Sequence, residues 1–267
     1  MIIPVSVKNQ SIDSSGITSD YKAAISEYVW NGFEANATKV SIEYTHNEAF
    51  GVKELIIKDN GEGINYNELG ETFGAFLASK KNLLSLQMKS KANKGKGRFS
   101  FIAFSNNAEW HTVYKDNDVY KEYDIAMSSD KKEVIDCSEP QLSEQNATGT
   151  EVRFFNINTL TVENMSFEVI ESALLKDFAW FLYLYKNKDA EIIVNGEKID
   201  YKKYINTDLS EKVMVTIDGY RFEINLIVWQ ESISEKFCCY YFDEKNILKG
   251  KRTTTFNQIS IYIFFII

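Results

Sequence analysis

The sequence predicts an α/β protein, a mixed layer of helices and strands followed by a smaller, strand-rich region. Three observations predict it. Apolar residues recur at helical spacing in two long segments, about 19–36 and 162–185. Between and beyond them, short runs alternate apolar and polar residues with the period of a strand. Of the 267 residues, 44% are hydrophobic and only 2 are proline, so the chain can bury a real core.

The elements follow in order. Ser19 or Asp20 can cap the first helix, whose Ile25, Val29 and Phe33 share one face. Strands are expected at 40–44 and 54–58, the second ending in the turn Asp59-Asn60-Gly61-Glu62-Gly63. A helix is expected over 67–81, then a polar loop over 82–97 and a helix over 98–105. Strands at 108–114, 119–127 and 150–156 precede the long aromatic helix of 162–185. The hairpin of 191–199 turns at Asn195-Gly196, a strong two-residue turn signal. From Val213 the pattern is nearly all strand, with turns at Asp218-Gly219 and near 243–246. The composition shift near 204–210 divides the chain into 1–205 and 206–267.

Charge and cysteines narrow the class. A net charge of −8 argues against a broadly basic nucleic-acid surface. Cys137, Cys238 and Cys239 form neither CxxC metal spacing nor a disulfide framework, so a reducing cytoplasm is the expected location. No signal peptide or membrane-spanning segment is expected. The apolar run 259–267 reads as a strand. A chain stopping inside one is expected to be part of something longer, because an unpaired strand is a sticky edge.

Four features carry chemistry. On the first helix, Glu27, Asn31 and Glu34 lie at i, i+4 and i+7, within about 60° of one another and opposite the apolar face. A carboxylate and a carboxamide one turn apart suit Mg²⁺, which keeps several waters and takes few protein oxygens. Taken alone, this helix fits a solvated polar stripe better. Asp59 ends an apolar strand, where a half-buried carboxylate can accept a hydrogen bond from an exocyclic amine. Gly61 and Gly63 would let a flat base approach the backbone, although a plain turn has the same composition.

The third feature is a basic island. Lys80, Lys81, Lys89, Lys91, Lys94, Lys96 and Arg98 occur with no intervening acid, and Gly95 and Gly97 sit among them ahead of an expected helix. Backbone N–H groups at such a helix start, with flanking lysines, suit a triphosphate. The alternatives are a solvated loop or a nucleic-acid contact. The spacing is not that of a P-loop. Fourth, Thr148-Gly149-Thr150 opens a strand, where a hydroxyl can donate to Asp59 or to a bridging water.

The order of these pieces resembles the GHKL superfamily of gyrase B subunits, heat-shock chaperone ATPases, histidine kinases and MutL proteins with their MORC relatives. Glu27-Tyr28-Val29-Trp30-Asn31-Gly32-Phe33-Glu34 resembles its N-box helix, and Asp59-Asn60-Gly61-Glu62-Gly63 its DxGxG motif. Gly95-Lys96-Gly97 is similar to a shortened glycine lid, and Thr148-Gly149-Thr150 to its last nucleotide motif. The resemblance covers roughly the first 200 residues. It implies an α+β two-layer sandwich of the Bergerat type that binds ATP with Mg²⁺, hydrolyses it slowly and pairs into an ATP-dependent homodimer. It also implies roles. Glu27 is the general base, Asn31 the Mg²⁺ ligand, Asp59 the adenine contact, and Gly61 and Gly63 the pocket floor. Gly95, Lys96 and Gly97 wrap the phosphates, Lys80 touches them, and Thr150 supports Asp59.

Two departures stand out. Glu34 occupies a position where chaperone and MutL proteins carry Asp, and the lid is poor in glycine. Residues 206–267 resemble the start of a transducer domain, in which Lys249, Lys251 or Arg252 would reach the γ-phosphate from an expected loop. Two alternatives compete with the ATPase switch. A sensor kinase needs a phosphoacceptor histidine on a helical hairpin, whereas His46 is expected in a turn and His111 in a strand. A nucleotide-binding interaction module without turnover is the other. The client, whether nucleic acid or protein, is left open.

Overall fold

A computed structural model of the chain describes residues 16–49, 51–73, 96–234, 238–242, 248–253 and 261–266. The described residues form two compact units. The first runs to Glu171 and includes Asn187–Ile199; the second holds Ser172–Lys186 and the chain from Asp200. The units divide between Ile199 and Asp200 and within the long helix, where composition alone suggested one boundary at 205.

The first unit begins with α1 (Tyr21–Glu34), capped by the Asp20 side chain, which accepts the Lys22 N–H at 2.9 Å. Strands β1 (Lys39–His46) and β2 (Val52–Asp59) follow. A 3₁₀ turn (Tyr66–Glu68) leads into the short α2 (Leu69–Thr72). The helix expected over 67–81 therefore opens as a 3₁₀ turn and one α-turn; its remainder, and most of the loop to Gly97, lie outside the described residues. A second 3₁₀ segment, Gly97–Ala103, occupies the place of the helix expected at 98–105.

Strands β3 (Ser105–Asp116), β4 (Val119–Ser128), β5 (Asp136–Cys137), β6 (Gln141–Leu142) and β7 (Gly149–Ile157) come next. Helix α3 (Phe167–Leu184) and the hairpin of β8 (Glu191–Val194) and β9 (Glu197–Lys198) complete the order. Asn195 and Gly196 both take positive φ, as the hairpin signal requires.

The sheet runs β5-β4-β3-β7-β2-β1-β8-β9, with β6 beside β4. Among the described strands of this sheet, only β1 and β8 pair in parallel. Its register lines one face with three cross-strand rows. Tyr44, Leu55, Phe154, Ala108 and Met127 make the first row, and Ile42, Ile57, Val152, Trp110 and Ile125 the second. Nearly all are buried and apolar. The third row, Val40, Asp59, Thr150, Thr112 and Tyr123, turns polar in its middle. Helix α1 lies against this face. A Cβ built on its Gly32 would stand 2.9 Å from Asp59 Cβ and 3.0 Å from Val40 Cγ2. Its Tyr28 ring meets Phe154 edge-on at 4.7 Å.

The second unit carries a sheet ordered β10-β11-β14-β12-β13, from β10 (Glu211–Ile217), β11 (Tyr220–Val228), β12 (Cys238–Phe242), β13 (Leu248–Thr253) and β14 (Ile261–Ile266). The apolar run of 259–267, expected as a strand, contains β14, antiparallel to β11 and parallel to β12. Lys249, Lys251 and Arg252 lie on β13 and not in a loop. Lys251 stands over Trp180 and Tyr240 at 5.9 and 5.8 Å, and those rings stack. Burial lowers the Lys251 pKa.

Candidate nucleotide site

The polar stretch of the third row is built by strand register. Asp59 pairs with Thr150, and Thr150 with Thr112, so three polar side chains share one face at the end of an apolar core. The Asp59 carboxylate accepts the Gly61 N–H at 2.8 Å and the Thr150 N–H. Burial nonetheless raises its pKa to about 6, against the lowering effect of those two bonds. A carboxylate that the fold ionises reluctantly, with acceptor capacity left over, is ready for an external donor.

Thr150 meets Asp59 through its backbone. Its hydroxyl, expected to donate to Asp59 or to a bridging water, lies 3.1 Å from the Thr112 hydroxyl. Thr112 is fully buried, accepts the Ile64 N–H at 2.9 Å and lies 3.3 Å from the Gly149 carbonyl. It therefore ties the chain after Gly63 to the two central strands. The sequence reading missed Thr112. A threonine in phase with Ala108 and Trp110 on one strand face was the available signal.

The turn after Asp59 is held from both sides. Asn60 accepts the N–H groups of Thr38 and Lys39 at 2.9 and 2.8 Å and donates to the Thr38 hydroxyl. Glu62 N–H donates to the Ala35 carbonyl at 2.8 Å, so the turn is bound to the end of α1. Gly63 has φ +74°, and a Cβ there would sit 2.1 Å from the Val113 carbonyl oxygen. At Gly61 a Cβ would lie 2.6 Å from the Ala35 oxygen. Both positions exclude a side chain because backbone passes too close.

Helix α1 brings the second set of groups. Glu27 is half-buried and Asn31 exposed. A Cβ on Gly97 would stand 3.1 Å from Glu27 Oε2 and 3.8 Å from Asn31 Oδ1, so both side chains reach toward the start of the 3₁₀ segment. Tyr28, also missed in the sequence, clamps that segment: its buried hydroxyl donates to the Arg98 carbonyl at 3.0 Å and accepts the Phe101 N–H at 3.2 Å. Lys96 precedes the segment and its carbonyl accepts the Phe99 N–H. Arg98 is buried, with its guanidinium 4.6 Å from the Phe99 ring, and burial lowers its pKa to about 10. It serves packing more than the basic island in which it was counted. Lys80 and Gly95 lie outside the described residues.

The structure thus brings Glu27, Asn31 and Gly97 together, and separately Asp59, Gly61, Gly63 and Thr150, with α1 joining the two groups. Glu27 and the Asn31 amide oxygen are hard oxygen donors one turn apart, a set that fits a mostly hydrated Mg²⁺. Among the described residues there is no cluster of three or more His, Cys, Asp or Glu side chains. The two histidines are both strand residues: His46 ends β1, not a turn, and His111 in β3 pairs with Asp124 at 2.8 Å.

Residues 18–159, more than half of the chain, match the sequence model of the histidine kinase-, DNA gyrase B- and HSP90-like ATPase family. The match spans every candidate residue from Glu27 to Thr150. The chain belongs to the GHKL family. A search of curated proteins finds no match. The mixed α/β architecture of the first unit agrees with the GHKL fold, and membership carries ATP binding with it. No helix among the described residues is long and apolar enough to cross a membrane.

Proposed function

We propose that this GHKL protein binds ATP with Mg²⁺ and hydrolyses it slowly, as a conformational switch that closes a lid and pairs two protomers. The observation that carries the proposal is the convergence of Glu27 and Asn31 on Gly97, while Asp59 waits on the same helix-covered face.

Asp59 accepts a hydrogen bond from the adenine amine, in the capacity left by Gly61 and Thr150. Gly61 and Gly63 let the base lie against backbone. Lys96 and Gly97, with Lys80 and Gly95, face the phosphates. Asn31 would offer its amide oxygen to the metal, which, when bound, neutralises charge on the phosphate oxygens. Glu27 takes a proton from water as that water attacks the γ-phosphorus. The bond to the bridging oxygen breaks, leaving ADP and phosphate. Slow turnover follows from the switch role of the family. On this reading residues 1–205 form the ATP-binding domain, and 206–267 begin a transducer-like domain of a cytoplasmic protein.

The test is Glu27→Ala. ATP uptake is expected to survive while turnover falls about 10²–10⁴-fold, the usual cost of losing a general base. Wild-type protein that binds ATP without turnover would identify an interaction module instead. Sedimentation with and without ATP and DNA reads the remaining parts: dimers that form only with ATP support the switch, and DNA-stimulated turnover identifies a nucleic-acid client.

A further inference from the structure

The Tyr28 hydroxyl occupies an unusual place. It binds the carbonyl of Arg98 and the N–H of Phe101, the two groups that an i to i+3 bond of a 3₁₀ segment would join. A side chain of α1 is therefore stitched into a turn of another element. Tyr28 is 3% exposed, and its ring is fixed edge-on against Phe154 at 4.7 Å and beside Trp110 at 6.4 Å. Burial and the Glu27 charge raise its pKa strongly, so it remains a neutral phenol that both donates and accepts.

Its position in the chain gives this stitch a consequence. Tyr28 directly follows Glu27, and Arg98 directly follows Gly97. The pair that the hydroxyl joins is thus one residue removed, on each side, from the pair that faces across the site. Gly97 is close enough to Glu27 Oε2 that an added Cβ would stand at 3.1 Å.

Resting on the ATPase reading, we infer that Tyr28 is a positioning residue: its hydroxyl sets the distance between the Glu27 carboxylate and the Gly97 end of the phosphate-facing segment. It touches neither nucleotide nor water and acts through Glu27. Lost hydroxyl contacts would leave Arg98 and Phe101 free to bond one another, so the segment keeps its turn but gains freedom to slide against α1. Adenine binding at Asp59 would not sense this. Turnover would, because small misplacement of reacting groups is costly.

The experiment compares wild type, Tyr28→Phe, Glu27→Gln and the double variant, using ADP affinity by calorimetry, ATP turnover and far-UV circular dichroism. Tyr28→Phe keeps the ring and is expected to leave ADP affinity within about twofold while lowering kcat about tenfold or more. In the Glu27→Gln background the same change is expected to cause no further loss. Equal kcat for wild type and Tyr28→Phe overturns the inference and leaves the ATPase reading standing. So does a Tyr28→Phe protein whose ADP affinity falls with its kcat, or one that loses its fold, since the role is then structural only. A further loss in the Glu27→Gln background overturns it as well. Wild type without nucleotide uptake, or with uptake and no turnover, overturns the ATPase reading and the inference together.

Discussion

Thr112 and Thr150 face one another across β3 and β7 with their hydroxyl oxygens 3.1 Å apart. Thr150 also donates its N–H to Asp59, and Thr112 accepts the N–H of Ile64. The two threonines therefore join the Asp59 carboxylate to the chain that leaves Gly63.

Thr112→Val keeps shape and removes the oxygen. The Ile64 N–H and the Thr150 hydroxyl lose a partner, which is expected to lower stability by about 1–3 kcal/mol in denaturant unfolding. ATP affinity should fall with it, because the floor after Gly63 is no longer pinned. A variant as stable as wild type would show that these bonds contribute little.

Asp59 should make the unliganded protein sensitive to pH. Its pKa rises from 3.8 in the unfolded chain to about 6 in the fold. Any stability linked to its protonated form is complete below pH 3.8 and is lost as pH rises through about 6. The loss is on the order of 3 kcal/mol. Asp59→Asn removes this titration. At pH 8 the variant is expected to be at least as stable as wild type in urea while losing adenine-nucleotide binding in calorimetry. A less stable variant, or one that binds normally, would contradict the role of this carboxylate.

Gly63→Ala combines a positive φ with a Cβ placed 2.1 Å from the Val113 oxygen. Backbone must move, at a cost of about 3 kcal/mol or more. A drop in Tm of roughly 5–10 °C is expected by differential scanning calorimetry. Gly196→Ala is the control. That glycine has φ +84° with open space around it, so it should lose only the conformational part, about 1 kcal/mol.

Asn60→Ala frees the N–H groups of Thr38 and Lys39, which its side chain now holds. The site is exposed, and water replaces the acceptor, so the global cost is expected to be only about 1 kcal/mol. Amide exchange at Thr38 and Lys39 should accelerate selectively. Unchanged exchange there would mean that β1 alone keeps these amides ordered.

Much of the fold was legible in the sequence because periodicity reports burial directly. Ile25, Val29 and Phe33 announce the buried side of α1, and Asn195-Gly196 announces its hairpin; all behave as local chemistry dictates. The segment 98–105 was legible only as helical. The structure makes Gly97–Ala103 a 3₁₀ segment fastened by Tyr28, seventy residues away from Arg98, and no local window contains that bond.

The sequence by itself determined the family and the identities of the groups that could hold a nucleotide, since motif order and residue type survive without coordinates. It did not determine which atom of Thr150 meets Asp59, that Thr112 belongs with them, or that Arg98 is buried. It also left Lys249, Lys251 and Arg252 in an expected loop, where the structure has a strand. Those outcomes rest on strand register and on packing between distant segments. A one-residue slip of β7 would turn Thr150 to the opposite face and dissolve the polar row. Only the tertiary structure decides register, because the energy that selects it comes from burying all three rows at once.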